Sequence, residues 1–194
     1  MSRSVASYIR LARIPVAVTL LGLLVSGCGV NNIPTFQEQA KAKWSDVQNQ
    51  YQRRADLIPN LVETVKGYAS HERGTLDAVV QARNAAVRAQ GPAAKAQAEA
   101  VLAGALRQLF ALAEAYPNLK ANSNFQQLQT DLTGRENKLA TARRSFNDMV
   151  QRYNSMIQQF PTVLFATALG FVAHEFFNLR DERQVADQPP EVKF

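Results

Sequence analysis

The chain has 194 residues, 46% of them hydrophobic and 20% charged, which is enough for the core of one helical domain. Its single cysteine excludes an internal disulfide. Three arginines and no acid precede residue 28, so the formal net charge falls from +6 to +3 beyond that point, and the remaining basic residues are interleaved with acidic ones. Because a nucleic-acid partner usually requires a denser basic stripe, we expect none.

Residues 1–27 have the three parts of an export signal. MSRSVASYIRLAR is basic, IPVAVTLLGLLV is apolar, and Ser26 and Gly27 are small residues directly before Cys28. The stretch VSGC resembles the lipobox of bacterial lipoproteins. This resemblance implies that the Cys28 sulfur receives a diacylglyceryl group, that the chain is cut before Cys28, and that the new amine is acylated. Two or more acyl chains anchor a protein stably to a membrane.

Two other interpretations of this segment stay open. In the first, residues 14–30 form an uncleaved membrane anchor. This stretch is at the lower limit of the roughly 17–25 residues that a spanning helix needs. In the second, Cys28 has a redox or metal role, but it lacks a second cysteine or a nearby histidine. If Cys28 is lipidated, Gly29 favours sorting to the periplasmic face of the outer membrane in a Gram-negative cell, because aspartate at that place retains lipoproteins at the inner membrane.

Residues 28–34 are expected to form a short polar tether before the folded part. Thr35 and Glu38 then have the spacing of a capping box, in which each side chain bonds the other residue's backbone amide. This spacing predicts that the first helix begins there.

The first long helix is predicted from about Phe36 to Arg88. Pro59 lacks an amide hydrogen and clashes with the carbonyl of Ala55, so we expect a bend or a brief break near Ile58. Apolar residues at helical spacing mark the buried face: Ala40, Trp44, Val47, Tyr51, Ala55, Ile58, Val62, Val65, Ala69, Leu76 and Val79.

Two further helices follow. Gly91 and Pro92 mark the corner before an alanine-rich second helix, and Asn122 or Ser123 is expected to cap a long third helix. The predicted buried face of the second helix comprises Ala98, Leu102, Ala105, Leu109, Leu112 and Tyr116. That of the third comprises Phe125, Leu128, Leu132, Leu139, Ala142, Phe146, Met149, Tyr153, Met156 and Phe160.

Pro161 is expected to end the third helix. The segment that starts there, PTVLFATALGFVAHEFF, is apolar nearly all round, and its part from Pro161 to Ala173 alone is too short to span a bilayer. We interpret it as a short fourth helix buried in the bundle, with a segment lying against a membrane or a partner as the alternative. Phe165 and Phe171 are its candidate contact surface for other copies, protein partners or lipid.

These elements predict an all-α chain, an antiparallel bundle of about four helices with a long, kinked first helix. The bundle is expected over residues 35–178, and residues 179–194 form a polar C-terminal tail with two consecutive prolines.

Two stretches resemble the signature regions of the LemA family. They are WSDVQNQYQRRADLIPNLVETVKGYASHE (44–72) and DLTGRENKLATARRSFNDMVQRYNSMIQQFP (131–161), and the termini VNNIPT and PEVKF also match family motifs. The resemblance implies a bundle of about four antiparallel helices in a bacterial envelope protein held by an N-terminal membrane segment or lipid. It implies no established enzymatic activity, and some members are linked to membrane organisation. Val30 replaces a tyrosine that is usual in the family.

No residue pattern encodes a catalytic, cofactor or metal site. His71 and His174 each begin like a helical zinc motif, but the second histidine four residues later is absent. A polar cluster near the predicted bend is expected to face the third helix, either as a buried network or as a solvated surface. Its members are Arg53, Arg54, Asp56, Asn60 and Glu63, opposite Arg135, Glu136 and Asn137.

The sequence therefore predicts a lipid-anchored, non-catalytic scaffold that binds protein partners or copies of itself at the envelope membrane. One alternative is an envelope hydrolase or accessory factor that uses a carboxylate pair such as Glu63 and Glu136. A direct membrane-remodelling role for residues 161–177 is the other.

Overall fold

The computed structural model describes residues 32–177, together with Pro15 and Thr19. The rest of the predicted signal segment, Cys28 and the polar tail at 179–194 lie outside the described residues. The described chain is helical, without strands. Its helices are α1 (Ile33–Ala55), α2 (Ile58–Lys66), α3 (Arg73–Arg88), α4 (Pro92–Ala113), α5 (Pro117–Lys120), α6 (Ser123–Gln158) and α7 (Thr162–Ala168).

The chain divides into two compact units. Among the described residues, the small unit contains those up to Gln39 and those from Arg152 to His174, and the large unit contains Ala40–Gln151 and those from Glu175 onward. An all-α fold is confirmed, and the antiparallel four-helix arrangement stays a prediction. None of the described helices is both long enough and apolar enough to cross a membrane.

The expected break near Ile58 is confirmed, because α1 ends at Ala55 and α2 begins at Ile58. Pro59 lies in the first turn of α2, where backbone amides have no acceptor within the helix, so its missing amide hydrogen costs no helical hydrogen bond. The Ala55 carbonyl, which residue 59 would bond in a continuous helix, accepts a hydrogen bond from Arg83 Nε instead, at 3.2 Å. A side chain of α3 thus completes the broken end of α1.

A second interruption separates α2 from α3. The chain leaves the helix at Gly67 and re-enters it at Arg73, while Ala69 between them stays buried. The residues predicted as one long helix are therefore three helices, and α2 contacts α3. Glycine lowers helix stability by roughly 1 kcal/mol relative to alanine, which favours an interruption at Gly67.

The core of the large unit has two clusters. In the first, buried leucines, valines and alanines of α2, α3 and α4 pack with Leu119, Phe125 and Leu132. Alanines such as Ala82 and Ala86 on α3 allow close approach to α4, against which α3 packs extensively. The second cluster joins the end of α1 to α6 and consists of Val47, Tyr51, Ala96, Leu139, Phe146, Val150 and Phe177.

The corner residues behave largely as predicted. Pro92 is the first residue of α4, and Gly91 before it has a φ of 76°, a conformation that residues with a Cβ rarely adopt. Asn122 caps α6, since its Oδ1 accepts a hydrogen bond from the Phe125 amide at 3.0 Å. The predicted capping box at Thr35 is wrong, because α1 already begins at Ile33 and Thr35 lies inside it.

The small unit has its own core. Ile33, Tyr153, Ile157 and Ala166 are buried together, and Phe36, Met156 and Phe171 pack against them. Ile33 belongs to the predicted tether yet is fully buried as the first residue of α1. Phe160, predicted on the buried face of the third helix, is 81% exposed because α6 ends before it, at Gln158.

The expected buried fourth helix is replaced by a short helix and an extended segment. Within α7 the buried residues are Thr162 and Ala166, while Leu164 faces outward. Gly170, with a φ of 76°, ends the turn: its amide donates to the Thr167 carbonyl, and the next amide donates to the Ala166 carbonyl at 2.9 Å. This bond pattern and a glycine in the left-handed region are typical of a Schellman C-cap. Residues 171–177 then run without helical structure.

Candidate functional site

Arg54 of α1 is the centre of a charged cluster in the large unit. Its Nη1 lies 3.3 Å from Oε2 of Glu99 on α4 and 3.3 Å from Oε2 of Glu136 on α6. The Glu99 side chain is only 1% exposed, so its pair with Arg54 is shielded from water. Breaking such a pair would leave an uncompensated buried charge, and this favours one register of the three helices over others.

Arg143 extends the cluster along α6. Its Nε donates to the Tyr51 hydroxyl at 2.9 Å and its Nη1 to Glu136 Oε1 at 3.4 Å. The guanidinium carbon lies 5.1 Å from the centre of the Tyr51 ring and 5.0 Å from that of Phe177, within range of cation–π attraction. Asn147 positions Phe177 through two hydrogen bonds. Its Oδ1 accepts one from the Phe177 amide at 2.8 Å, and its Nδ2 donates one to the Phe177 carbonyl at 2.9 Å. The charge of Arg143 is thus enclosed by aromatic rings and paired.

Lys95 is the third buried cation among the described residues of the large unit. Its Nζ donates to the carbonyl of Ala86 in the last turn of α3 at 2.6 Å and lies 5.3 Å from the centre of the Tyr51 ring. Burial lowers the pKa of Lys95 below its ordinary value, and the attraction of Glu99 partly opposes this shift. The ammonium group therefore satisfies a helix-end carbonyl in a site that disfavours its charge.

The predicted polar cluster is confirmed only in part. The structure brings Arg54 and Glu136 together, as the buried-network alternative expected. The solvent-exposed members are Arg53, Asp56, Asn60, Glu63 and Asn137.

The sequence interpretation missed Lys95, Glu99 and Arg143, although a signal for them exists. Lys95 and Glu99 continue the apolar stripe of α4 backward from Leu102 in steps of three and four. Arg143 falls between the buried Leu139 and Phe146 in the same way. A charged residue at a stripe position of a buried helix face is thus the pattern that marks this cluster.

The carboxylate pair of the hydrolase alternative consists of groups with separate partners. Glu63 has a side chain that is 73% exposed and lies 3.7 Å from the Lys66 ammonium. Glu136 contacts the guanidinium groups of Arg54 and Arg143. The two carboxylates thus pair with different cations, and these contacts lend no support to that alternative.

The two histidines have different surroundings. His71 is exposed, in the turn between α2 and α3. His174 lies in the small unit, where its ring centre is 4.6 Å from that of Tyr153. Asn154 makes two hydrogen bonds to the His174 backbone. Its Oδ1 accepts one from the His174 amide at 2.8 Å, and its Nδ2 donates one to the His174 carbonyl at 2.9 Å. Within residues 32–177, no three histidine, cysteine or acidic side chains are grouped as a metal site would need.

The candidate contact residues Phe165 and Phe171 are both half-buried. Phe171 packs against the small unit's core, directly after the turn that ends α7. Among the described residues of the small unit, the exposed large apolar side chains are their neighbours: Phe160, Leu164, Leu169 and Val172 are between 62% and 81% exposed. The sequence thus identified the apolar segment, while the fold decides which of its side chains face outward.

Comparison with known proteins adds the family. The chain is 27% identical over 185 residues to the magnetosome protein MamQ of Magnetospirillum gryphiswaldense, an alignment that covers 82% of this chain and 67% of the relative. It is 26% identical over 167 residues to the protein LemA of Metamycoplasma hominis, covering 84% and 75%. The model of the LemA family matches residues 43–194. The match spans all of the large unit's described helices from α2 onward and both sequence stretches singled out above, so the chain belongs to the LemA family.

Proposed function

We propose that this protein is a non-catalytic helical scaffold of the bacterial envelope, attached to a membrane by acyl chains on Cys28. The attachment is supported by the VSGC stretch and by the export-signal pattern before it. Some of its relatives are named magnetosome proteins, and this name supports a role in a cellular assembly. Gly29 favours the periplasmic face of the outer membrane where the cell has one.

The observation that best supports the scaffold role is that the buried charged side chains connect one helix to another. Arg54, Glu99, Arg143 and Lys95 each contact a group on another helix, and these contacts join α1, α3, α4 and α6. Catalysis requires ionisable groups that converge on a space open to substrate. Charges that bond helix to helix instead support a rigid body that presents surfaces to protein partners or to other copies.

The anchor is tested by Cys28→Ala, with Ser26→Ala as the matched control because alanine keeps a small residue in the motif. We expect Cys28→Ala to leave an uncleaved chain without acyl mass, since the protein has no other thiol. Intact mass spectrometry of the membrane fraction measures both features. Ser26→Ala should be cut and acylated as the unchanged protein is.

The same strains test the scaffold role by cross-linking in intact cells. Neighbours captured by the unchanged protein should also be captured by Ser26→Ala and lost with Cys28→Ala, because contacts at a membrane depend on placement there. An unchanged protein that keeps residues 1–27 and carries an unmodified Cys28 would contradict the lipid anchor. Undiminished capture by Cys28→Ala would contradict a role that depends on the anchor.

A further inference from the structure

The small unit exposes a set of large apolar side chains around α7. Phe160 is 81% exposed, Leu164 62%, Leu169 65% and Val172 72%. We call these four residues the apolar patch. Three of them, Phe160, Leu169 and Val172, flank α7, and Leu164 lies on it, opposite the buried Thr162 and Ala166. Four large apolar side chains exposed within positions 160–172 are more than the single scattered ones that a protein surface ordinarily carries, and they indicate an interaction site.

The chain around the patch carries no formal charge. Between Arg152 and Glu175 there is no aspartate, glutamate, lysine or arginine, and the same holds from Cys28 to Gln37. Protein–protein interfaces surround their apolar centre with a polar rim. Charged side chains are expensive in contact with lipid, so a surface without them suits a bilayer better than a protein partner.

Only a short stretch of chain separates the proposed acylation site from the unit that carries the patch. Ile33, the first residue of α1, shares a core cluster with Ala166 of α7. Cys28 precedes Asn32 by four residues, which cannot span more than about 14 Å even when fully extended. Acyl chains on Cys28 would therefore hold the small unit, and the patch with it, against the membrane surface.

We propose that the apolar patch inserts into the headgroup region of the same bilayer that holds Cys28, so that the protein touches its membrane at two places. This inference rests on the proposed lipid anchor. Interfacial apolar surfaces enter about 5–10 Å, to the boundary between headgroups and acyl chains. The anchor supplies the high local concentration that makes a small patch bind, and the second contact fixes which face of the small unit meets the lipid.

The test uses the full chain, matured and acylated in cells and reconstituted into vesicles of phosphatidylethanolamine and phosphatidylglycerol. Leu164→Cys and Leu169→Cys each receive an environment-sensitive fluorophore, and Val101→Cys is the control, since Val101 is a 51% exposed apolar residue of α4 in the large unit. Lipids with a quencher on the acyl chain report contact. We expect quenching at positions 164 and 169 to be at least threefold stronger than at 101.

Each other outcome is distinguishable. Quenching at the level of Val101→Cys, in protein whose N-terminal peptide shows acylated Cys28, overturns the patch and leaves the anchor intact. A fluorescence shift that grows with the protein-to-lipid ratio without quenching indicates contact between copies and also overturns the inference. A peptide mass without acyl chains overturns the anchor and this inference together, and it is measured independently of the fluorescence.

Discussion

Lys95, Glu99 and Arg143 show what charged residues do at positions that helical periodicity assigns to the core. Each falls in register with buried leucines or phenylalanines, and each is buried with a partner on another helix. Periodicity alone predicts which positions of a helix are buried. It does not give the partner, because the Lys95 bond to the Ala86 carbonyl depends on how α3 meets α4. The sequence thus reveals a buried charge and only the fold explains how the protein tolerates it.

Lys95 should make stability depend on alkaline pH. Its pKa is lowered in the folded protein, so between that lowered value and the ordinary 10.5 the unfolded chain binds more protons than the folded one. Stability supplied by this site therefore rises as the pH increases through that window. Urea unfolding gives the free energy of unfolding of the unchanged protein and of Lys95→Met. As the pH is raised from neutral to about 10.5, the free energy of the unchanged protein should increase relative to that of Lys95→Met. A constant or opposite difference would contradict the assignment.

At the scale of elements, Pro59 was predicted to bend or briefly break a helix, and it lies in the first turn of a new one. The sequence located the interruption correctly because the missing amide hydrogen and the ring clash are local properties of proline. It could not identify Arg83 as the donor to the Ala55 carbonyl, since Arg83 follows 28 residues later in another helix. The second interruption, at Gly67, carried a weaker local signal and depends on the contact of α2 with α3.

A double-mutant cycle tests the link between this break and Arg83. Arg83→Ala should destabilise the protein by about 1–2 kcal/mol, because it leaves the carbonyl of the buried Ala55 without its donor. The loss should be smaller in a Pro59→Ala background, where the amide of residue 59 becomes available to that carbonyl. Chemical unfolding of the four proteins gives the coupling free energy. Strictly additive losses would show that Arg83 and Pro59 act independently.

At the scale of the whole molecule, the sequence predicted one bundle and the structure contains two compact units. The buried stripes of α1 and α6 run on without a change of period, so nothing in the pattern marks where the small unit's residues begin. The two units have separate cores, and the small unit's core contains far fewer buried side chains. Segments with fewer buried apolar contacts open at lower free energy.

Amide hydrogen exchange should therefore distinguish side chains of the apolar segment that support the small unit's core from those that only face outward. Phe171→Ser removes a ring from the small unit's core and should speed amide exchange in α7 about 30-fold, as a loss of about 2 kcal/mol would, while α4 keeps its rates. Leu164→Ser, at an exposed position of α7, is the matched control and should leave both helices unchanged. Equal acceleration by both variants would mean that Leu164 also supports the folded unit.

The asparagine at 154 has a consequence for how this segment tolerates substitution. It bonds the amide and the carbonyl of residue 174 and makes no demand on that residue's identity, except that proline has no amide hydrogen to give. A redesigned segment is thus free in its outward side chains. Asn154→Asp, by contrast, is nearly isosteric but replaces the NH₂ donor with an oxygen that faces the His174 carbonyl. At this position the change that looks mildest, including the one that spontaneous deamidation produces, turns one attraction that holds the segment into a repulsion.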